Sequence, residues 1–228
     1  MPKFSTILFD LDHTLMDSDA SEDAAFASTL EQYGVSNSSQ HRATYNRINR
    51  ALWDRVELGE IGPDFVKIRR FEELVSALDL NANPENMAEA FANSLAQNGE
   101  LYPGVINLLT ELAESHVLGL ITNGLCAVQR KRVRRLGLES IFSAIVISEE
   151  VGHSKPDPEI FDAIFEELGN PKKSDVVIVG DSLSSDVAGG RAYGITTIWY
   201  NRSGAVPALG DAYTHEVTIL ADLLSLVS

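Results

Sequence analysis

Short apolar runs alternate with amphipathic stretches along most of this chain. Runs of this length, rich in Ile and Val, are typical of strands buried inside a sheet. They predict strands at Phe4–Phe9, Val117–Ile121, Ala144–Ile147, Val176–Val179 and Thr196–Tyr200, with a weaker one at Val217–Leu220. Strands that alternate with helices indicate an α/β fold with a parallel, doubly wound sheet.

Residues 17–98 interrupt this alternation and contain no convincing strand pattern. Their periodicity predicts four helices separated by Gly, Pro and Asn breakers, at Ser21–Tyr33, Gln40–Leu58, Asp64–Leu78 and Glu85–Ala96. A helical segment inserted directly after the first strand predicts a second, smaller domain. We therefore expect a helical domain at 17–98 and a sheet domain made of 1–16 and 99–228, with hinges near residues 17–20 and 99–103.

Polar and charged residues follow four of the predicted strands. They are Asp10, Asp12 and Thr14 after the first strand, Thr122, Asn123 and Gly124 after the second, Lys155 in the loop beyond the third, and Gly180, Asp181 and Asp186 after the fourth. Ligands of open parallel sheets bind beyond the carboxyl ends of the strands. Each motif alone is compatible with an ordinary turn, helix cap or exposed loop, but their occurrence in order at successive strand ends favours a shared active site.

Phosphoryl transfer explains why these residue types belong together. Asp10 can act as a nucleophile and form an aspartyl phosphate, and Asp12 can protonate the leaving oxygen and then activate water. Asp10 and Asp181, helped by Asp186, offer the hard oxygen ligands that Mg²⁺ prefers. Lys155 supplies positive charge to the phosphoryl oxygens, while Thr122, Asn123 and nearby backbone N–H groups supply hydrogen bonds.

These motifs resemble those of a known superfamily. Phe9–Leu15, Thr122-Asn123-Gly124, Lys155-Pro156 and Gly180-Asp181 with Asp186 resemble, in order, the four motifs of the haloacid dehalogenase (HAD) superfamily. The resemblance covers essentially the whole chain. It implies a Rossmann-like core with a helical cap inserted after the first motif, and a backbone carbonyl of Asp12 that joins Asp10 and Asp181 around Mg²⁺.

Further segments resemble the pyrimidine 5′-nucleotidase subfamily. They are 146–152, Ile160-Phe161-Asp162, Gly169-Asn170-Pro171 and 185–190. The resemblance implies a Mg²⁺-dependent phosphatase for nucleoside 5′-monophosphates. A phosphoglycolate or sugar-phosphate phosphatase stays an alternative, as does a non-catalytic phospho-ligand-binding module. A mutase is a weaker alternative, and a dehalogenase is disfavoured because Asp12 suits an alkoxide leaving group.

The composition limits the classes of binding partner that we expect. With 18 Lys and Arg against 33 Asp and Glu, the formal charge is −15, which disfavours binding to nucleic-acid polymers or anionic membranes. The single cysteine, Cys126, cannot form an internal disulfide, and the N-terminus has no signal-peptide pattern. No apolar run is long enough to span a bilayer. We expect a cytoplasmic monomer or homodimer that acts on a small phosphorylated metabolite.

Four other residues attract attention. Cys126 follows the second motif, but no Cys–His arrangement supports a nucleophile, and we interpret it as a small core or helix residue. Alternation along an extended loop points His13 away from the carboxylates, in a structural or cap-facing role. Trp53 and Tyr45 on the second cap helix could stack on a base, although bundle core is the favoured interpretation.

Overall fold

A parallel sheet forms the centre of the computed structural model, which describes residues 3–207 and 213–227. Its strand order is β3-β2-β1-β4-β5-β6. The strands are β1 (Thr6–Phe9), β2 (Val117–Thr122), β3 (Ala144–Ile147), β4 (Val176–Gly180), β5 (Thr196–Tyr200) and β6 (His215–Val217). From β1 the chain adds β2 and β3 on one side of the sheet, and it then crosses to β4 on the other side of β1. The strand order therefore reverses between β1 and β4, the position at which doubly wound sheets bind their ligands.

Helices cover both faces of the sheet. They are α5 (Val105–Ala113), α6 (Cys126–Arg135), α7 (Ser148–Val151), α8 (Pro158–Glu167), α9 (Ala188–Tyr193) and α10 (Leu223–Val227). Alternate residues of each strand point to opposite faces. Accordingly, Phe9 packs in the cluster that contains α5 and α6, whereas Leu8 packs in the cluster that contains α8 and α9. Because both faces are covered, β1 and β4 are buried at every position.

Four helices lie between β1 and α5, as the sequence predicted. They are α1 (Ser18–Gln32), α2 (Ser39–Glu57), α3 (Pro63–Leu78) and α4 (Pro84–Gln97). Their apolar faces share one cluster centred on Phe26, Tyr45, Phe71 and Phe91, whose neighbouring rings lie 4.6–6.1 Å apart. Leu125 and Val128 near the start of α6 join this cluster. The inserted helical cap is thus confirmed, while its boundaries at 17 and 98 stay a prediction.

The last predicted strand was misplaced. The chain pairs with β5 over His215–Val217, whereas Leu220 begins a short 3-10 helix, Leu220–Asp222. Val217 and Leu220 are buried in the same cluster, but Ile219 between them is exposed. The apolar residues of Val217–Leu220 therefore do not form one extended strand. No described helix has the length and apolar character needed to cross a membrane.

Candidate active site

The carboxyl edge of the sheet gathers the carboxylates that the sequence singled out. Asp10 directly follows β1, and its backbone N–H donates to the carbonyl of Val179 on β4 at 3.0 Å. Asp181 directly follows β4, and Asp186 lies in the π-helical turn Leu183–Val187. Carboxylate oxygens of Asp10, Asp181 and Asp186 all lie within 4.8 Å of one another. The topology thus brings Asp10 beside Asp181 and Asp186, which lie far from it in the chain.

Lys155 lies at the centre of this edge. Its ammonium donates to Asp10 Oδ1 at 2.6 Å, to Asp186 Oδ1 at 2.7 Å and to the carbonyl oxygen of Ile121 at 2.8 Å. The side chain is almost completely buried. Burial alone would lower the pKa of Lys155, but the two carboxylates raise it above its ordinary value. Lys155 is therefore a fixed positive charge.

One ammonium does not neutralise three carboxylates. Burial raises the pKa of Asp10 well above its ordinary value, and Asp186 and Asp181 raise it further while Lys155 lowers it. Burial and then Asp186 raise the pKa of Asp181 to about 7. Raised carboxyl pKa values mean that the cluster favours additional positive charge. Hard oxygen donors with excess negative charge fit a Mg²⁺ ion, with Asp10, Asp181 and Asp186 as the residues that would hold it.

Gly180 allows Asp186 to approach the end of β4. A Cβ at position 180 would overlap the Asp186 carboxylate. That carboxylate also accepts the backbone N–H of Ser182 at 3.1 Å. The absence of a side chain at Gly180 is therefore needed for Asp186 to reach Lys155.

This close approach predicts the effect of Gly180→Ala. Asp186 has to move, so we expect kcat to fall roughly 10–100-fold and unfolding free energy to fall by about 1–3 kcal/mol. Steady-state kinetics and urea denaturation measure the two effects. Gly34→Ala is the control, because its Cβ meets no atom within 4 Å although its φ is +65°. The control should lose some stability and no activity; equal activity in both variants would contradict the packing argument.

Asp12 faces a set of donors that differs from those around Asp10. Its carboxylate accepts from Ser18 Oγ at 2.5 Å, Gln129 Nε2 at 2.6 Å and Arg132 Nη1 at 2.9 Å. Burial alone would raise the pKa of Asp12, but Arg132 and the Ser18 hydrogen bond hold it below its ordinary value. Environment thus separates the two aspartates, since the pKa of Asp10 is raised and that of Asp12 is lowered.

Thr122 and Asn123 lie beside Lys155 at the end of β2. The Thr122 hydroxyl is buried and accepts from Gln129 Nε2 at 2.9 Å. The Asn123 side chain donates to the backbone carbonyl of Lys155 at 2.9 Å and accepts its backbone N–H at 2.8 Å. Both polar atoms of the Asn123 side chain therefore hold the lysine loop.

The structure also shows the surroundings of His13, Cys126, Tyr45 and Trp53, for which the sequence suggested structural or functional roles. His13 has φ +60°, so the extended-loop premise was wrong, but it does face Asp19 on the cap at 4.0 Å. Cys126 begins α6, and a hydrogen bond to Glu150 raises the pKa of its thiol to about 11, which opposes a nucleophilic role. Tyr45 is fully buried core, whereas Trp53 is half-buried, packs against the same cap cluster and also lines the cleft.

A large cleft separates the cap from the sheet edge. Its volume is about 1010 Å³, and Asp10, Asp12, Lys155 and Asp181 line its floor. Helix α2 contributes side chains at helical spacing, including Asn46, Asn49, Arg50, Trp53 and Glu57. Glu57 accepts a hydrogen bond from Ser184 Oγ at 2.5 Å, which ties the cap to the π-helical turn. The cap therefore covers the carboxylate cluster.

Comparison with known proteins agrees with this arrangement. The family model for haloacid dehalogenase-like hydrolases matches residues 7–200, which run from the second residue of β1 to the end of β5 and include every residue assigned to the site. This chain is a haloacid dehalogenase-like hydrolase. Together with the nucleotidase relatives described next, the family match makes it an enzyme of the phosphoric monoester hydrolase type.

Relatives of this hydrolase match it over nearly their full lengths. Pyrimidine 5′-nucleotidase PynA of Streptococcus pneumoniae is 35% identical over 97% of this chain and 94% of its own. Pyrimidine 5′-nucleotidase YjjG of Escherichia coli is 35% identical over 99% of this chain and 98% of its own. The crystal structure of the HAD-hydrolase YfnB from Bacillus subtilis bound to magnesium superposes with a TM-score of 0.91, at 30% identity and 98% coverage of both chains.

Three residues of the hydrolase site were missed from the sequence. Gln129 and Arg132 are buried on α6, and Arg132 also donates to Ser21 Oγ at 2.6 Å and to the carbonyl of Leu95 at 3.1 Å. Ser18 was placed before the first cap helix rather than inside it. The sequence did contain a signal for the two α6 residues. Gln129 and Arg132 are spaced i, i+3 between Val128 and Val133, on the helix face that packs inward, where apolar residues are expected.

Proposed function

We propose that this enzyme hydrolyses pyrimidine nucleoside 5′-monophosphates with Mg²⁺ and an aspartyl-phosphate intermediate on Asp10. The observation that carries the substrate class is the extent of the similarity to two pyrimidine 5′-nucleotidases, 97% and 99% of this chain. Such coverage includes the cap, which lies over the cleft, as well as the catalytic edge. A shared cap supports a shared substrate class more strongly than a shared catalytic edge does.

The cation site is assigned to Asp10, Asp181 and Asp186, with the backbone carbonyl of Asp12 as a further ligand. When bound there, Mg²⁺ would offset the repulsion between the carboxylates and a phosphate dianion and would polarise the phosphoryl group. The clustering of three acidic oxygens within 4.8 Å supports this assignment. The relative YfnB was crystallised with magnesium.

Asp10 is the proposed nucleophile. Its free carboxylate oxygen attacks phosphorus, the ester P–O bond breaks, and the leaving alkoxide takes from Asp12 the proton that Asp12 acquired from water in the hydrolytic half of the preceding cycle. Lys155 holds the other oxygen of Asp10 at 2.6 Å, which fixes the direction of attack. The same ammonium offsets the charge of the phosphoryl oxygens.

Asp12 completes the cycle as a base. It removes a proton from water, which attacks the aspartyl phosphate, releases inorganic phosphate and restores the Asp10 carboxylate. Arg132, Gln129 and Ser18 stabilise the ionised form of Asp12, the form that this second half requires. Ser18 is the first residue of α1 in the cap. The position of the cap therefore affects the hydrogen bond that stabilises the ionised form of Asp12. Thr122 and the backbone N–H of Asn123 are assigned to the phosphate oxygens, together with Lys155.

A substrate comparison tests this proposal. We expect kcat/KM for UMP, dUMP or dTMP to exceed that for AMP, GMP, phosphoglycolate and glucose phosphates, because the relatives act on pyrimidine nucleotides. EDTA should abolish turnover, and added Mg²⁺ should restore it, because the carboxylate cluster needs a cation. Phosphate release with purified enzyme measures both.

The outcomes separate the parts of the proposal. If phosphoglycolate or a sugar phosphate outranks every nucleotide, the nucleotidase assignment fails and the phosphatase chemistry stands. Full turnover in EDTA would remove Mg²⁺ from the proposal.

A further inference from the structure

The cap side of the cleft contains a buried polar cluster that the chemical steps do not use. Glu22 on α1, Asn49 on α2 and Arg70 on α3 form it, and all three line the cleft. Asn49 Nδ2 donates to both carboxylate oxygens of Glu22 at 3.3 Å, and Arg70 Nη1 donates to Asn49 Oδ1 at 3.2 Å. We call these three residues the cap triad.

Arg70 is the unusual member of the cap triad. Its side chain is 2% exposed, and its guanidinium lies 4.4 Å from the Phe91 ring centroid. Its Nε has no hydrogen-bond partner among residues 3–207 and 213–227. Arg70 Nη1 also donates to the Tyr45 hydroxyl, at a long 3.5 Å. A buried, unpaired donor on a cation carries a considerable desolvation cost, which a hydrogen-bonding ligand would recover.

Charge placement in the cap triad also points to a ligand. Glu22 and Arg70 have opposite charges, yet Asn49 bridges them and they do not contact each other directly. A carboxylate and a guanidinium kept apart in this way leave an acceptor and a donor side by side at the wall of the cleft. The site therefore suits a flat, neutral group whose edge carries a donor next to an acceptor.

We propose that the cap triad is the specificity site for the base of the nucleotide and that it selects a uracil-type edge. This inference rests on the proposed nucleotidase function. In uracil and thymine, an N3–H donor lies between two carbonyl acceptors. Glu22 accepts from N3–H, and the unpaired Nε–H of Arg70 donates to a neighbouring carbonyl oxygen. The phosphate then occupies the opposite, carboxylate side of the same cleft.

Cytosine presents the opposite pattern at the same atoms. Its N3 is an acceptor, and its 4-amino group is a donor. In the register that places N3 opposite Glu22, N3 would face the carboxylate without a proton between them, and cytosine could pair its 4-amino group with Glu22 only by shifting one ring position. Sites built around a specific hydrogen bond discriminate strongly against analogues that leave their polar groups unpaired. We therefore expect the enzyme to prefer UMP to CMP by about tenfold or more.

Glu22→Gln tests the cap triad with almost no change in shape. A glutamine amide can donate to cytosine N3 and accept from its amino group, so kcat/KM for CMP should rise. The ratio of kcat/KM for UMP to that for CMP should fall by about tenfold or more, which is about 1.4 kcal/mol of discrimination. Steady-state kinetics with both nucleotides, together with a thermal melt, give the ratio and the folded fraction.

Glu31→Gln is the matched control, because Glu31 lies exposed on the same helix and outside the cleft. It should leave the UMP-to-CMP ratio unchanged. If the wild type prefers UMP to sugar phosphates but its ratio is the same in Glu22→Gln, the cap triad does not read the base and the nucleotidase function stands. Equal or better use of CMP by the wild type would also overturn the inference. If sugar phosphates outrank all nucleotides, both the proposed function and this inference fail.

Discussion

Replacing Asp10 with asparagine should abolish turnover, with kcat reduced on the order of 10⁴–10⁶-fold as for other nucleophile deletions. Asparagine has the size of aspartate and can still accept the hydrogen bond that Lys155 gives to Asp10 Oδ1 at 2.6 Å. Lys155 and Asp186 should therefore stay in place. What the substitution removes is a carboxylate oxygen that can attack phosphorus, and steady-state phosphate release measures the loss.

Asp64→Asn is the control for Asp10→Asn. Asp64 is exposed in the first turn of α3, away from the residues that line the cleft. The control should retain wild-type turnover because it changes the same chemical group outside the site. Asp10→Asn protein that still turns over substrate at a rate within tenfold of the wild type would show that another residue is the nucleophile.

Replacing Lys155 with methionine should damage both activity and stability. Methionine keeps the unbranched apolar stem and removes the charge between Asp10 and Asp186. Removing one fixed donor from such a site costs roughly 10²–10³-fold in kcat. Leaving buried carboxylates without their cation costs about 3–5 kcal/mol of unfolding free energy. The stability loss should be larger in EDTA than in Mg²⁺, because Mg²⁺ would neutralise part of the same charge.

Lys131→Met is the matched control, since Lys131 is exposed on α6. Urea denaturation with EDTA and with Mg²⁺, followed by kinetics on the folded protein, separates the two effects of Lys155→Met. A Lys155→Met enzyme as stable as Lys131→Met in EDTA would contradict the claim that the ammonium holds the carboxylates together. Unchanged kcat in the folded variant would remove Lys155 from the phosphoryl site.

The clustering of carboxylates at the carboxyl edge of the sheet was predictable because its signals are local. A strand buried on both faces appears as an uninterrupted apolar run, so Asp10 and Asp181 could be placed at strand ends from their neighbours alone. Parallel strands then align those ends at one edge of the sheet. The four cap helices were equally visible, since Gly and Pro breakers separate amphipathic segments. The helix bounds Pro63–Leu78 and Pro84–Gln97 fall within one residue of those predicted.

The remaining features depend on tertiary contacts that no short segment encodes. Asn123 and Lys155 are 32 residues apart, and the hydrogen bonds between them form only because β2 and the lysine loop meet. Arg132 reaches Asp12 across 120 residues of chain. The cap triad requires three helices to pack before Glu22, Asn49 and Arg70 become neighbours. Hydrophobic periodicity places helices and strands in the sequence but does not determine which of their polar side chains meet.

Trapping the phosphoryl group during turnover tests the central claim most directly. Wild-type enzyme mixed with UMP and Mg²⁺, quenched in acid and digested, should contain phosphate on the peptide with Asp10. Asp10→Asn protein treated in the same way should contain none. Phosphate found on another residue, or persisting on the Asp10→Asn protein, would contradict the assignment of Asp10 as the nucleophile.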